Sequence, residues 1–404
     1  MSTATAGMTP GRGKTPGDSP GGVPFFSQAA TFRNMWPLIS SHVNDVFERG
    51  KFSHGRKVAE FERAMASFTG ARHAIAVNSG TDALVILLRA AGVGPGDEVI
   101  VPAFTFFASA SAVTMAGATP VFADITDDGA YALDPASVEA AITERTRAVL
   151  PVHLFCQPAD MGALMDLARR RDLMVLEDSA EAVGMRWDGT HAGLIGSGGV
   201  LSFFPTKTLG ALGDAGMILT DDDRTAEEAS VLRHHGRMGR TIDHIAGISN
   251  LSRVSGTNSK MDDIQAAVLM AKLSRLDEDI RRRSVLADAY TERLRGADGV
   301  LAVPRLVPRA VPVDPVFYVY LVEVERRDEL AEHLAGRGIG TETYYPRPLH
   351  TQPCYAGRQA PGSLPRAEAA CRRTLALPLY PDLTEEQVDT VCAAISDFYA
   401  RGPR

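Results

Sequence analysis

Lys207 ends the tract Ser202-Phe203-Phe204-Pro205-Thr206-Lys207, at the close of an apolar run, in a chain whose basic residues are nearly all arginine. A lysine stripped of its water has a lowered pKa and becomes a nucleophile toward carbonyl carbon. The alternative is a surface lysine whose stem lies on apolar residues and whose head stays in solvent. A second tract, Leu176-Glu177-Asp178-Ser179-Ala180-Glu181, ends an apolar run with two carboxylates. Burying a carboxylate is costly without a partner, and a protonated ring nitrogen would hold one of them ionised. A solvated loop charge or a helix cap explains the same residues. A third, Asn78-Ser79-Gly80-Thr81-Asp82, follows one apolar run and opens a helical pattern. A glycine there lets the backbone approach a ligand, and the free N–H groups of a helix start bind phosphate, with the Ser202 hydroxyl available to the same group. An ordinary cap by Ser79 or Thr81 is the competing account.

Other motifs fall away. Gly196-Ser197-Gly198-Gly199 is not a dinucleotide fingerprint, because Leu201 fills its last glycine position; Lys207-Thr208 is not a P-loop, because Thr206 stands where its glycine must be. His234 and His235 are adjacent and make a poor metal pair, so no metal is expected. His153, within an apolar run, reads as a satisfied core histidine. Cys156, Cys354, Cys371 and Cys392 form no CxxC and read as free thiols in a reducing compartment.

The elements that must hold these tracts alternate. Strands are expected at Ala74–Val77, Val99–Val101, Val121–Ala123, Ala148–Val152 and Leu173–Leu176, with helices at Thr81–Ala91, from Ala108, and at Asp160–Arg171. Apolar strands separated by helices predict a mainly parallel sheet covered on both faces, with its ligand beyond the carboxyl ends of the strands. Further on, one long helix is expected from Met261 to about Leu294, a strand at Phe317–Val322, a helix at Asp328–Arg337 and a last helix at Thr384–Tyr399. The expected organisation is a tail over residues 1–22 lacking fixed structure, a large α/β domain over 23–270 and a smaller α+β domain over 271–404. A net charge of -7 argues against a general nucleic-acid or membrane-surface role. No stretch is long and apolar enough to span a bilayer, and a cytoplasmic protein is expected.

At these residues the chain resembles the DegT/DnrJ/EryC1/StrS family of pyridoxal-phosphate (PLP)-dependent aminotransferases. The resemblance runs through Ser79-Gly80-Thr81-Asp82, Val101-Pro102-Ala103-Phe104-Thr105-Phe106, Glu177-Asp178, Ser202 to Leu209, Gly256-Thr257-Asn258-Ser259 and Tyr345-Pro346, in common order and spacing. It implies the fold-type I transferase fold and these roles: Lys207 as the Schiff-base lysine, Asp178 facing the pyridine nitrogen, Phe106 stacked on one ring face with Ala180 on the other, and Ser202 with the Gly80 and Thr81 amides on the phosphate. Asn258 would reach the phosphate of a neighbouring subunit, which makes the unit a homodimer with shared sites. Arg237, Arg240, Tyr344 and His350 are candidate substrate contacts; ordinary loop or interface residues account for them equally well.

Some positions depart from the common pattern. Glu181 stands near the cofactor's phenolic oxygen, where an ionised carboxylate can only accept. Cys156 replaces a usual glycine, Lys260 a usual arginine and Tyr344 a usual histidine. The function implied is transfer of an amino group from L-glutamate or glutamine to a nucleotide-linked keto sugar, through PLP and its aminated form PMP, in amino-sugar or natural-product biosynthesis. Amination of a cyclitol or aminobenzoate precursor is the nearest alternative, and a non-catalytic PLP-binding regulator a distant one.

Overall fold

The structure is a computed structural model and describes residues 22–53, 55–237 and 251–402. The 1–22 tail therefore lies, but for Gly22, outside the described residues. Helices α1 (Ala29–Arg49) and α2 (Arg56–Thr69) precede the first sheet strand. The alternating region then gives β1 (His73–Val77), α3 (Gly80–Ala90), β2 (Glu98–Pro102), α4 (Ala108–Met115), β3 (Thr119–Ala123), α5 (Pro135–Ala141), β4 (Thr146–Val149), α6 (Met161–Arg171) and β5 (Met174–Asp178). The two-residue strands β6 (Arg186–Trp187) and β7 (Thr190–His191) follow, then β8 (Gly198–Ser202), β9 (Gly216–Thr220) and α7 (Asp223–Leu232).

Seven of these strands form one sheet in the order β1-β9-β8-β5-β4-β2-β3. The expectation of a mainly parallel sheet holds: β9 alone runs against its neighbours. The strands are buried on both faces, and successive side chains alternate between two apolar clusters. Val77, Val101, Leu176, Val200 and Ile218 pack toward α3 and α4, whereas Ala76, Leu201, Met217 and Leu219 pack with Phe61 and Met65 of α2. Helix starts are set by short polar caps: Ser79 accepts from Asp82 N, Asp160 from Ala163 N, and Asp134 from Ala136 N ahead of Pro135. That last pair starts α5, a helix the sequence reading missed.

The C-terminal part holds α8 (Asp263–Leu273), α9 (Leu276–Leu294), β10 (Val300–Ala302), β11 (Val313–Asp314), β12 (Tyr320–Val324), α10 (Arg327–Gly336), α11 (Pro365–Arg373), β13 (Thr374–Leu377) and α12 (Glu385–Ala400). Two expectations are corrected here. The long helix is two helices, because Ser274 turns its hydroxyl back onto the Ala271 carbonyl at 2.7 Å and the chain restarts at Leu276. The strand begins at Tyr320, not Phe317. The preceding residues instead pair with a loop of the large sheet, Tyr318 N donating to Phe155 O and Val316 N to Cys156 O. Helix α12 begins with a capping box between Thr384 and Gln387.

β10, β12 and β13 form a small sheet with its own apolar cluster, built from α9, α10 and α12. Val23 joins that cluster: it is buried and bridges to Ile339. Residues from Tyr345 to Cys371, by contrast, pack into the core of the large sheet. No helix among the described residues is long and apolar enough to cross a membrane.

Candidate active site

Three strand ends meet at one edge of the sheet. Gly216, the first residue of β9, pairs with both Val77 of β1 and Ser202 of β8, and Asp178 at the end of β5 lies opposite Val200. Close approach makes glycine necessary at two points. A Cβ on Gly216 would sit 2.4 Å from the Ser79 carbonyl carbon, and one on Gly80 would sit 2.8 Å from Ser202 Cβ. The start of α3 is thereby pressed onto the end of β8.

A cavity of about 350 Å³ opens here. Lys207, Asp178, Glu181 and Asp214 supply its charged groups. Gly80, Thr81 and Ser202 bring hydroxyls and the free amides of a helix start, and Phe106 and Ala180 bring apolar surface. Tyr344 shares the wall. These tracts, far apart in sequence, are brought together as the sequence reading expects.

Other candidates lie elsewhere. Asn258 is exposed, outside this wall, and its Oδ1 accepts from the Lys260 ammonium. Arg237 pairs through its backbone with Ser252, also outside it. His350 is buried with its Nε2 on Glu368 Oε1 at 3.1 Å, so packing and a hydrogen bond account for it rather than the cavity. Arg240 falls outside the described residues.

Asp178 is 4% exposed. Its Oδ2 accepts from Ser109 Oγ at 2.7 Å and its Oδ1 from the Ala180 N–H at 3.2 Å. Burial pushes its carboxyl above the ordinary range, and the Ser109 and Ala180 hydrogen bonds and the nearby Lys207 offset this in part. A cationic ring nitrogen would add to the offset. Glu177, one residue earlier, points to the other face of the strand. It is fully buried and accepts from His153 Nε2 at 2.8 Å and from the Gly193 and Gly196 amides. His153 takes the Ala159 N–H on its Nδ1, which makes it the core histidine expected.

Lys207 corrects one expectation. Burial alone would lower its pKa, but Tyr318, Glu181 and Asp178 outweigh burial, and the amine stands above its ordinary value. Its Nζ lies 3.3 Å from Glu181 Oε1 and 4.2 Å from the centre of the Tyr318 ring. Tyr318 is held in turn by Thr206, 3.1 Å from its hydroxyl, and by Arg283 of α9, which donates to the Tyr318 carbonyl at 2.9 Å. Burial lowers that guanidinium to about 10. Ser109 and Tyr318 are site groups the sequence reading missed, and Tyr345 stands in one of its tracts without a role. Their contacts join residues distant in the chain, and no local pattern announces them.

The donor set fits PLP: an amine for its aldehyde, an acid for its ring nitrogen, and hydroxyls with helix-start amides for its phosphate. The comparisons agree. The DegT/DnrJ/EryC1/StrS aminotransferase family matches residues 37–396. The dTDP-3-amino-3,4,6-trideoxy-alpha-D-glucose transaminase of Streptomyces venezuelae is 43% identical, over 94% of this chain and 97% of its own length. A pleiotropic regulatory protein of Geobacillus stearothermophilus is 42% identical, over 93% and 98%. Among solved structures, S. venezuelae DesV in complex with a ketimine intermediate superposes with a TM-score of 0.87 at 42% identity, covering 93% of this chain and 98% of that one. NtdA of Bacillus subtilis with bound PMP gives 0.80 at 32% identity, covering 90% and 81%. This chain belongs to the DegT/DnrJ/EryC1/StrS aminotransferase family, whose members depend on PLP.

Proposed function

We propose that this aminotransferase moves an amino group from L-glutamate or glutamine to a nucleotide-linked keto sugar, acting in the cytoplasm as a homodimer. One observation carries the residue assignment: Lys207 and Asp178 share one cavity wall with the Gly80–Thr81 helix start and Ser202. The substrate class rests on relatives. The S. venezuelae transaminase above is named for a dTDP sugar, and a 40% identical protein of Acidithiobacillus ferrooxidans for a UDP-linked one.

Bound PLP would supply an electron sink conjugated to the carbon that carries the nitrogen. The remaining work belongs to this chain. Asp178, as a carboxylate, would keep the ring nitrogen protonated, and the Ser109 hydrogen bond favours that form against burial. Lys207 would anchor the aldehyde carbon and, once freed, carry a proton from and to the reacting carbon as general base and then acid. Phe106 and Ala180 would bracket the ring, and Ser202 with the α3 amides would neutralise the phosphate. The homodimer reading is supported by Asn258, which is exposed and outside its own chain's cavity, and by exposed Trp36 and Phe47 on α1. A boundary between large and small domains near the α8–α9 break is supported by packing: Ala266 and Leu269 of α8 join the cluster of the large sheet, whereas Leu286, Tyr290 and Leu294 of α9 join that of the small one.

Purified protein should absorb in the near-ultraviolet to visible range, and borohydride should fix the cofactor on Lys207. A panel of keto-sugar nucleotides with glutamate or glutamine, followed by keto-acid release, tests the substrate class. Turnover only with a cyclitol or aminobenzoate precursor would replace it, and a Lys207→Ala protein transaminating at the wild-type rate would refute the lysine's role.

A further inference from the structure

Glu181 is surrounded by donors. Its Oε1 lies 3.3 Å from Lys207 Nζ and 3.3 Å from the Tyr345 hydroxyl, and its Oε2 takes the Phe155 N–H at 3.1 Å. With three donors converging, the group is built as an acceptor, which suits a carboxylate and leaves it nothing to donate to a phenolic oxygen. The face of the Tyr318 ring lies on the same ammonium. A carboxylate and a ring face both stabilise a cation, and neither stabilises a neutral amine. Capture of an aldehyde nonetheless requires the neutral amine, whose lone pair forms the bond to carbon.

We propose that Glu181, backed by Tyr318, is a latch: it holds Lys207 as an ammonium facing the cavity, accepts a proton from it as the aldehyde arrives, and returns that proton to the departing oxygen. This rests on Lys207 being the lysine that takes the cofactor. The balance closes. The nitrogen–carbon bond forms, the carbon–oxygen bond breaks, one of the three ammonium protons stays on the nitrogen of the C=N linkage, and two leave with the oxygen as water. Glu181 ends as it began. The other titratable groups facing Lys207 are Asp178 from β5, Tyr318 from the segment before β12, and Tyr344 and Tyr345 from the segment before α11; Asp214, ahead of β9, shares the wall. The raised Lys207 pKa agrees with this geometry.

The test follows loading rather than turnover. The full chain, freed of cofactor, is recombined with PLP across neutral to alkaline pH. The growth of the C=N absorbance is timed, and borohydride with peptide mapping reports where PLP is fixed. Glu181→Gln keeps the shape and removes the charge. Its rate–pH midpoint should fall by about one unit or more, which raises the neutral-amine fraction near neutrality about tenfold, while its alkaline plateau drops for want of a proton acceptor. Tyr345→Phe removes a donor and keeps the carboxylate, so its midpoint should rise. A Glu181→Gln midpoint equal to wild type, with PLP still on Lys207, overturns the latch. PLP fixed elsewhere in the wild-type chain overturns instead the lysine assignment beneath it. Should Glu181→Gln fail to fold, Tyr345→Phe decides, and an unmoved or lowered midpoint overturns the latch.

Discussion

Ser109 Oγ donates a 2.7 Å hydrogen bond to Asp178 Oδ2, joining the first turn of α4 to the last residue of β5. Ser109 is itself fully buried and lies 3.2 Å from Thr105 Oγ1. The contact favours the ionised carboxyl against the burial that opposes it.

Ser109→Ala removes that donor. The Asp178 pKa should rise further, and its hold on a cationic ring nitrogen should weaken by about 1.5–3 kcal/mol, the range for a hydrogen bond to a charged group. In a PLP titration followed by absorbance this appears as a Kd raised about 10- to 100-fold. A wild-type Kd would remove Ser109 from the site.

Gly80→Ala places a Cβ 2.8 Å from Ser202 Cβ, an atom fixed to its backbone and unable to swing away. Overpacking of this kind costs about 1–3 kcal/mol, and PLP affinity should fall at least tenfold as the start of α3 is levered off β8. Adding Ser202→Gly removes the opposing atom. The double variant should regain Tm in a thermal melt but not affinity, since the hydroxyl is lost too. A single variant with unchanged Tm and Kd would contradict the crowding.

Glu177→Gln tests the acid behind the site. Its neighbours are all donors, so an amide would turn an N–H toward one of them. Breaking such a buried network should cost about 3 kcal/mol in urea unfolding. A loss under about 0.5 kcal/mol would mean the network relaxes around the change.

His191 gives stability a pH dependence of known sign. It is buried, accepts the Gly184 N–H on Nε2 at 2.9 Å and donates from Nδ1 to Ala192 O at 2.5 Å, as a neutral ring must. Burial lowers its pKa to about 3 from 6.5. Between those values the unfolded chain binds a proton that the folded chain refuses. The His191 contribution is therefore whole above pH 6.5 and is lost as pH falls toward 3, at roughly 1.4 kcal/mol per unit. His191→Gln should flatten this part of the acid limb in denaturant titrations; an unchanged slope would mean that the ring charges freely in the fold.

Much of this was legible in the sequence because it was local. Apolar runs bounded by caps located β1, β2 and α3, and strand-end placement brought Lys207, Asp178, Gly80 and Ser202 to one edge. What escaped depends on long-range contact. The antiparallel course of β9 is decided by its neighbours, and the late start of β12 by the Phe155 and Cys156 carbonyls that engage the residues before it. The direction of the Lys207 shift was misread for the same reason, since Tyr318 and Glu181 come from remote segments.

Val23 has a consequence for how the molecule is made. Its N–H bonds Gly338 O at 3.0 Å and its carbonyl accepts from Gly340 N at 2.8 Å. On a ribosome, Val23 must wait, its apolar side chain unsheltered, until the roughly 300 residues that separate it from Gly338 have been synthesised. Closure of this seam therefore spans a long loop, whose ordering entropy must be overcome before the contact is rewarded.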